Sequence, residues 1–208
     1  MDKRTEPIRL LLENEVAAGR LMGAAVQLSH RGRPLDPVVA GRRRLQDPDA
    51  RVEPDTIFLV ASITKPIVAA AAMRLVEEAG LDLDDPVARH VPEFAANGKE
   101  SVRVLHLLTH TSGLVAQIRE SQSYRVARRP LADFVARICE LPLEFAPGAR
   151  ILYSSPGFAI LGEICERLTA MPLADYMRQA LFDPLRLRDT LLRMSCRSDR
   201  ESDVVIPG

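Results

Sequence analysis

The sequence predicts an α/β protein of the α+β kind, with an antiparallel pair of strands near the N-terminus followed by a mostly helical region. Two apolar segments, 22–28 and 37–40, flank a turn-forming sequence and indicate the two strands. From residue 62 onward, helix-forming patterns predominate. With 208 residues, the chain is long enough for one domain or somewhat more, with a sizeable hydrophobic core.

The composition is that of an ordinary globular protein. The 28 Lys and Arg residues balance 28 Asp and Glu residues, and 47% of the residues are hydrophobic, which excludes disorder as the main state. A net charge of zero also argues against a nucleic acid partner, because duplex binding depends mostly on a basic face. The short arginine runs 42–44 and 128–129 are interpreted as solvated surface.

The N-terminal residues predict an amphipathic helix and no export signal. Apolar residues recur at helical spacing over 6–18. The charged segment 1–19 has no apolar stretch of the length of a secretory signal. No apolar run in the chain reaches the roughly 18 residues of a membrane span. We therefore expect no association with a membrane.

The cysteines point to a reducing compartment. Cys139, Cys165 and Cys196 are odd in number, widely spaced and without a CxxC pair, so we interpret them as reduced thiols. Together with the missing signal, they predict a cytoplasmic protein.

The remaining elements follow from local patterns. The turn 30–34 contains Gly and Pro and joins the two strands, whose open edges leave room for self-association. Residues 62–80 predict the clearest helix, with Ser62 at the N-cap and Gly80 just beyond the C-terminus. Further helices are predicted, after an irregular stretch, at 102–108, 131–140, 157–169 and 173–181.

A first candidate for chemistry is the pair Ser62 and Lys65. Residues three apart lie on one face of a helix, so the Lys65 amine can reach the Ser62 hydroxyl. A serine hydroxyl becomes a good nucleophile when a neighbouring base takes its proton, and a helix N-terminus favours a developing oxyanion. The alternative is a capping serine beside a surface lysine. Lys3, Lys65 and Lys99 are the only lysines, which makes an accidental placement less frequent.

A second candidate is Tyr153. A tyrosine that faces a lysine ammonium loses or shares its proton more easily than usual, so it can relay a proton. The alternative is a buried tyrosine with one satisfied hydroxyl.

Metal and nucleotide cofactors have no support in the sequence. His106 and His110 have the four-residue spacing of helical metal ligands, but they lack the glutamate of HExxH and an evident third ligand. No glycine-rich phosphate loop is present. We expect a protein that works without a cofactor.

The combination of motifs resembles the serine β-lactamase and penicillin-binding-protein-like superfamily, particularly the branch of class C β-lactamases, esterases and D-aminopeptidases. The segments that carry the resemblance follow one another in the family's order: IFLVASITKP, EEAGLDLDDPVARHVPEF, LLTHTSGL, PGARILYSSPGFAILGEICERLT and LFDPLRLRDT. The resemblance implies a β-lactamase/transpeptidase-like fold, with an antiparallel sheet and a helical subdomain at about 82–150. It also implies Ser62 as the acylated nucleophile, Lys65 as its activating partner and Tyr153 as the proton relay. No catalytic role is carried over to His110.

Two departures from the family pattern affect the expected activity. Ser155 stands where the Y-x-N element has asparagine, and a hydroxyl cannot reproduce an amide that both donates and accepts at a distance. The family's later [KH]-[ST]-G strand has no counterpart after Tyr153, so we expect a truncated single domain, 1–208, with an incomplete sheet.

These observations predict a serine hydrolase that forms an acyl-enzyme on Ser62. Its substrates would be small-molecule esters or amides, with an esterase favoured over a true β-lactamase because of Ser155. Two alternatives remain open. One is a catalytically inactive remnant or binding protein of the same fold, and the other is a subunit that a second chain completes by strand addition.

Overall fold

A computed structural model describes residues 3–192. Within them the chain divides into two compact units, 3–61 and 62–192. Cys196 lies outside the described residues. In the described part of the chain, no helix is both long enough and apolar enough to cross a bilayer.

The first unit contains one helix and two small antiparallel ladders. The elements are α1 (Glu6–Ala17), β1 (Gly23–Val26), β2 (Ser29–His30), β3 (Arg33–Pro34) and β4 (Val38–Gly41). Strand β1 pairs with β4, and β2 pairs with β3. Helix α1 packs against β4. These elements confirm the predicted helix and the predicted antiparallel pair.

Two glycines set the close approach at one end of the β1–β4 ladder. Gly23 lies opposite Gly41. A Cβ atom on Gly41 would lie 2.2 Å from the Met22 carbonyl oxygen, and the φ angle of Gly41 is +78°. Only glycine fits both the space and the left-handed backbone at this position.

The second unit is helical. Its elements are α2 (Thr64–Glu77), α3 (Val87–His90), α4 (Val104–Leu108), α5 (Ser121–Val126), α6 (Leu131–Glu140), α7 (Ser155–Thr169) and α8 (Leu173–Met177). A 3-10 turn, Pro92–Ala95, follows α3, and a π-helical turn, Arg178–Phe182, follows α8. The prediction of 131–140 agrees with both bounds of α6. Helix α5 was not predicted, because its six residues are too few to show a periodic pattern.

Helix α7 is the centre of the second unit. Its residues Ile160, Leu161, Ile164 and Cys165 are fully buried, and it packs against α2, α3, α4, α6 and α8. Because α7 contacts five other helices, these contacts define where α7 begins. They also define the position of the residues directly before it.

The ends of helix α2 differ from the prediction. Ser62 is not its N-cap, because Ser62 lies in a 3-10 turn, Ala61–Ile63, and its backbone is already helical. At the other end Ala79 has a φ of +57° and takes the left-handed position. The Gly80 amide donates to the Leu75 carbonyl at 2.9 Å, so Gly80 lies one residue beyond that position. Ala170 closes α7 in the same conformation, with a φ of +54°.

Lys99 is a fully buried cation that closes the C-terminal end of α6. Its ammonium donates to the carbonyl oxygens of Cys139 at 2.9 Å and Leu141 at 2.6 Å. Burial lowers the pKa of Lys99. The Asn97 amide donates to the Glu140 carbonyl at 3.0 Å, so these two side chains satisfy carbonyl groups that helix geometry leaves without partners.

Replacement of Lys99 by methionine is expected to lower the free energy of unfolding by about 1–3 kcal/mol, because the Leu141 carbonyl loses its side-chain donor and the Cys139 carbonyl keeps only the longer bond from Asn97, at 3.3 Å. Chemical denaturation measures the change. Arg119→Met removes the same charge from an exposed position and should change stability by less than about 0.5 kcal/mol. Equal effects of the two substitutions would contradict the capping role of Lys99.

Candidate active site

The structure places Ser62 and Lys65 in direct contact. The Lys65 ammonium donates a hydrogen bond to the Ser62 Oγ at 3.1 Å. The 3-10 turn and the first turn of α2 bring the two side chains to one side of the helix, and the positive end of the helix dipole lies at Ser62. Ser62 is exposed and Lys65 is partly buried, so a substrate can reach the hydroxyl.

Tyr153 lies beside this pair. The Lys65 ammonium is 4.7 Å from the centroid of the Tyr153 ring, over its face. The side chain of Lys65 and, second, that of Ser62 lower the pKa of the Tyr153 phenol, because both stabilise the phenolate. The Tyr153 residue is 50% exposed, which excludes the alternative of a buried, structural tyrosine. The three predicted catalytic residues are thus brought together, while their roles stay predictions.

Ser155 lies in the first turn of α7, two residues after Tyr153. Its amide donates to the Ala116 carbonyl at 3.0 Å. Ser155 lines a cavity of about 250 Å³. The other lining residues come from the loop before α5 and from α5, α6 and α7: Gln117, Ile118, Ser121, Arg125, Leu131, Phe134, Ile138, Pro156 and Ala159. The cavity is mainly apolar, and the predicted substrate-binding residue forms part of its wall.

The two histidines of the LHLLTH segment each accept a hydrogen bond from a backbone amide. His106 Nδ1 accepts the Arg103 amide at 3.1 Å, at the start of α4. His110 Nδ1 accepts the Ser154 amide, also at 3.1 Å. Among residues 3–192, no group of three or more His, Cys, Asp or Glu side chains is arranged to hold a metal ion.

His110 is the residue at the site that sequence reasoning left without a role. Its ring centroid lies 4.6 Å from that of Tyr153. The contact joins residues far apart in the chain, and no periodicity of the sequence reports it. The available signal was the segment LLTHTSGL, which the resemblance implies is structural in the family.

Solved structures share this fold. EstCE1, described as a hydrolase with promiscuous acyltransferase activity, is 26% identical with a TM-score of 0.75, and the match covers 88% of this chain and 51% of that one. The octameric penicillin-binding protein homologue from Pyrococcus abyssi is 26% identical with a TM-score of 0.78, and the match covers 89% and 43%. The fold is therefore that of the β-lactamase and penicillin-binding-protein-like proteins.

The chain belongs to the β-lactamase family, whose sequence model matches residues 8–195. The esterase EstB from Burkholderia gladioli is 38% identical over 187 residues, which are 82% of this chain and 47% of that esterase. The chain spans about half the length of the curated relatives it matches. Family membership and the esterase relative support a function of the serine hydrolase type.

The electrostatic coupling at the site gives a direct prediction. Lys65→Met should raise the pKa of Tyr153 towards the ordinary value of about 10, because the group that stabilises the phenolate is removed. Phenolate absorbance in the near ultraviolet, followed against pH, measures the change, and Tyr153→Phe identifies its contribution. Burial raises the pKa of Tyr176 to about 12, so that phenol is an internal reference. An unchanged Tyr153 titration in Lys65→Met would contradict the coupling.

Proposed function

We propose that the protein is a serine hydrolase that forms a covalent acyl-enzyme on Ser62. The reaction is hydrolysis of small-molecule esters, as by a carboxylesterase, with β-lactamase-like hydrolysis of amides less favoured. The observation that carries the proposal is the 3.1 Å hydrogen bond from Lys65 Nζ to Ser62 Oγ beside the Tyr153 ring. The 38% identity to an esterase supports the same class of reaction.

In the proposed reaction the Tyr153 phenolate is the general base. Ser62 Oγ attacks the carbonyl carbon, and its proton passes to Tyr153. The Lys65 ammonium stabilises negative charge on the Tyr153 phenolate oxygen and on Ser62 Oγ. The bond to the leaving alkoxide breaks, and Tyr153 gives the alkoxide its proton. Water then attacks the acyl carbon and passes a proton to Tyr153, and Ser62 Oγ leaves with that proton.

Ser155 supports the preference for esters. In the position where the resemblance predicts asparagine, a serine has a single hydroxyl on a shorter side chain, so it cannot donate and accept through two separate atoms as an amide does. An ester presents fewer polar groups to this position than a β-lactam with an amide side chain. We propose that the apolar cavity beside Ser155 takes the acyl group of the ester.

The proposal predicts a single covalent adduct on Ser62 when the purified chain is exposed to a fluorophosphonate. Intact-mass spectrometry detects the adduct, which Ser62→Ala should abolish. Tyr153→Phe should slow labelling by about 10²–10⁴-fold, because the base is lost. The wild-type rate should rise with pH through the lowered pKa of Tyr153, as the phenolate forms.

Tyr124→Phe is the matched control, since Tyr124 packs edge to face against Phe134 and should leave labelling unchanged. If a wild-type chain that melts cooperatively forms no adduct, Ser62 is not an activated nucleophile. That result would favour the alternative of a binding protein with the same fold.

The cavity predicts a preference for acyl chain length. Ala159→Phe should fill the cavity and reduce hydrolysis of an octanoate ester about tenfold more than that of an acetate ester, because the longer chain loses its apolar contacts. The ratio of kcat/KM for the two esters measures the effect. Ala136→Phe, at an exposed position of α6, is the control. Equal losses for both esters in Ala159→Phe would place the acyl group elsewhere.

A further inference from the structure

His110 contacts the backbone on both sides of Tyr153. The His110 carbonyl oxygen accepts the amide of Leu152 at 2.9 Å, and its Nδ1 accepts the amide of Ser154 at 3.1 Å. The residues immediately before and after Tyr153 are therefore both bonded to this one histidine. Such paired bonds fix the backbone direction at Tyr153 and with it the path of the side chain.

The His110 ring also contacts the Tyr153 ring. The two centroids are 4.6 Å apart, with an angle of 38° between the planes, and the Phe158 ring lies 5.3 Å from the same imidazole. His110 has a left-handed backbone, with a φ of +58°. A non-glycine residue in this conformation is uncommon, and histidine is among the types enriched there. Two backbone hydrogen bonds beside Tyr153 and the ring contacts with Tyr153 and Phe158 hold His110 in this strained conformation.

The bond from the Ser154 amide requires Nδ1 to be unprotonated, so the imidazole must be neutral. Burial first, and the Lys65 ammonium second, lower the pKa of His110. Among residues 3–192, the titratable groups that face this ring are Lys65 from α2 and Tyr153 from the segment before α7. Burial and the charge of Lys65 both favour the neutral imidazole, whose Nδ1 accepts the hydrogen bond.

We infer that His110 is a positioning residue that holds the Tyr153 ring against the Lys65 ammonium and the Ser62 hydroxyl. The inference rests on the proposed function of Tyr153 and extends it to a residue that does not contact the reacting atoms. His110 acts through two hydrogen bonds to the flanking backbone and one ring contact. Protonation of its imidazole removes the Nδ1 acceptor and weakens this hold.

Two substitutions separate the hydrogen bond from the ring contact. His110→Phe keeps a ring but has no acceptor, so the Tyr153 titration should move towards about 10 and Ser62 labelling should slow about tenfold or more. His110→Asn has its Oδ1 where Nδ1 lies and tolerates a left-handed backbone. It should therefore keep the wild-type Tyr153 titration and most of the labelling rate.

His106→Phe is the matched control. It removes an equivalent bond, in which a histidine Nδ1 accepts a backbone amide at 3.1 Å, but His106 bonds to Arg103 rather than beside Tyr153. This variant should melt at a lower temperature with an unchanged Tyr153 titration. If His106→Phe shifts the titration as much as His110→Phe does, or if His110→Phe leaves it unshifted, the positioning role is overturned.

The titration does not require turnover, so the two proposals fail separately. If wild-type Ser62 is not labelled but the Tyr153 titration still responds to His110→Phe, the proposed function fails and the positioning role stands. If His110→Phe does not fold, nitrogen NMR of the wild-type imidazole decides. A neutral ring with its proton on Nε2 supports the role, and a proton on Nδ1 overturns it.

Discussion

The position of Tyr153 depends on the hydroxyl group of the next residue, Ser154. This hydroxyl is buried, donates to the Val115 carbonyl at 2.8 Å and accepts the Gly157 amide at 3.2 Å. The first of these bonds ties the loop after α4 to the start of α7, and the second caps α7. Helix α7 packs against five other helices, so its N-terminus has a defined position. Tyr153 directly precedes the N-cap residue Ser154, and its backbone position is therefore defined as well.

One cation organises the charges around that point. The Lys65 ammonium lowers the pKa of Tyr153, which favours a phenolate, and also lowers the pKa of His110, which favours a neutral imidazole. The same charge therefore promotes a base at one residue and a hydrogen-bond acceptor at the other. Both consequences depend on the closeness of Lys65 to these rings, so geometry and protonation are linked.

Local features of this protein could be predicted from the sequence, and distant contacts could not. Helix α6 and the β1–β4 pair follow from periodicity and turn residues over a few positions. The contact of Ser62 with Lys65 spans three residues, so spacing alone suggests it. The role of Tyr153 came from the resemblance, and the hydrogen bonds that the His110 and Lys99 side chains make to the backbone join segments about 40 residues apart. Such contacts depend on packing that no local pattern encodes.

Helices α2 and α7 each end beside an alanine in a strained backbone conformation. Ala79 and Ala170 take left-handed conformations in which a Cβ atom is crowded by the adjacent carbonyl, at a cost of about 1–2 kcal/mol each. Most proteins place glycine at such positions. The chain therefore tolerates strain at sites remote in sequence from Ser62 and Tyr153. Replacement of either alanine by glycine would relieve this strain without altering Ser62, Lys65 or Tyr153, and so offers a route to a more heat-resistant chain.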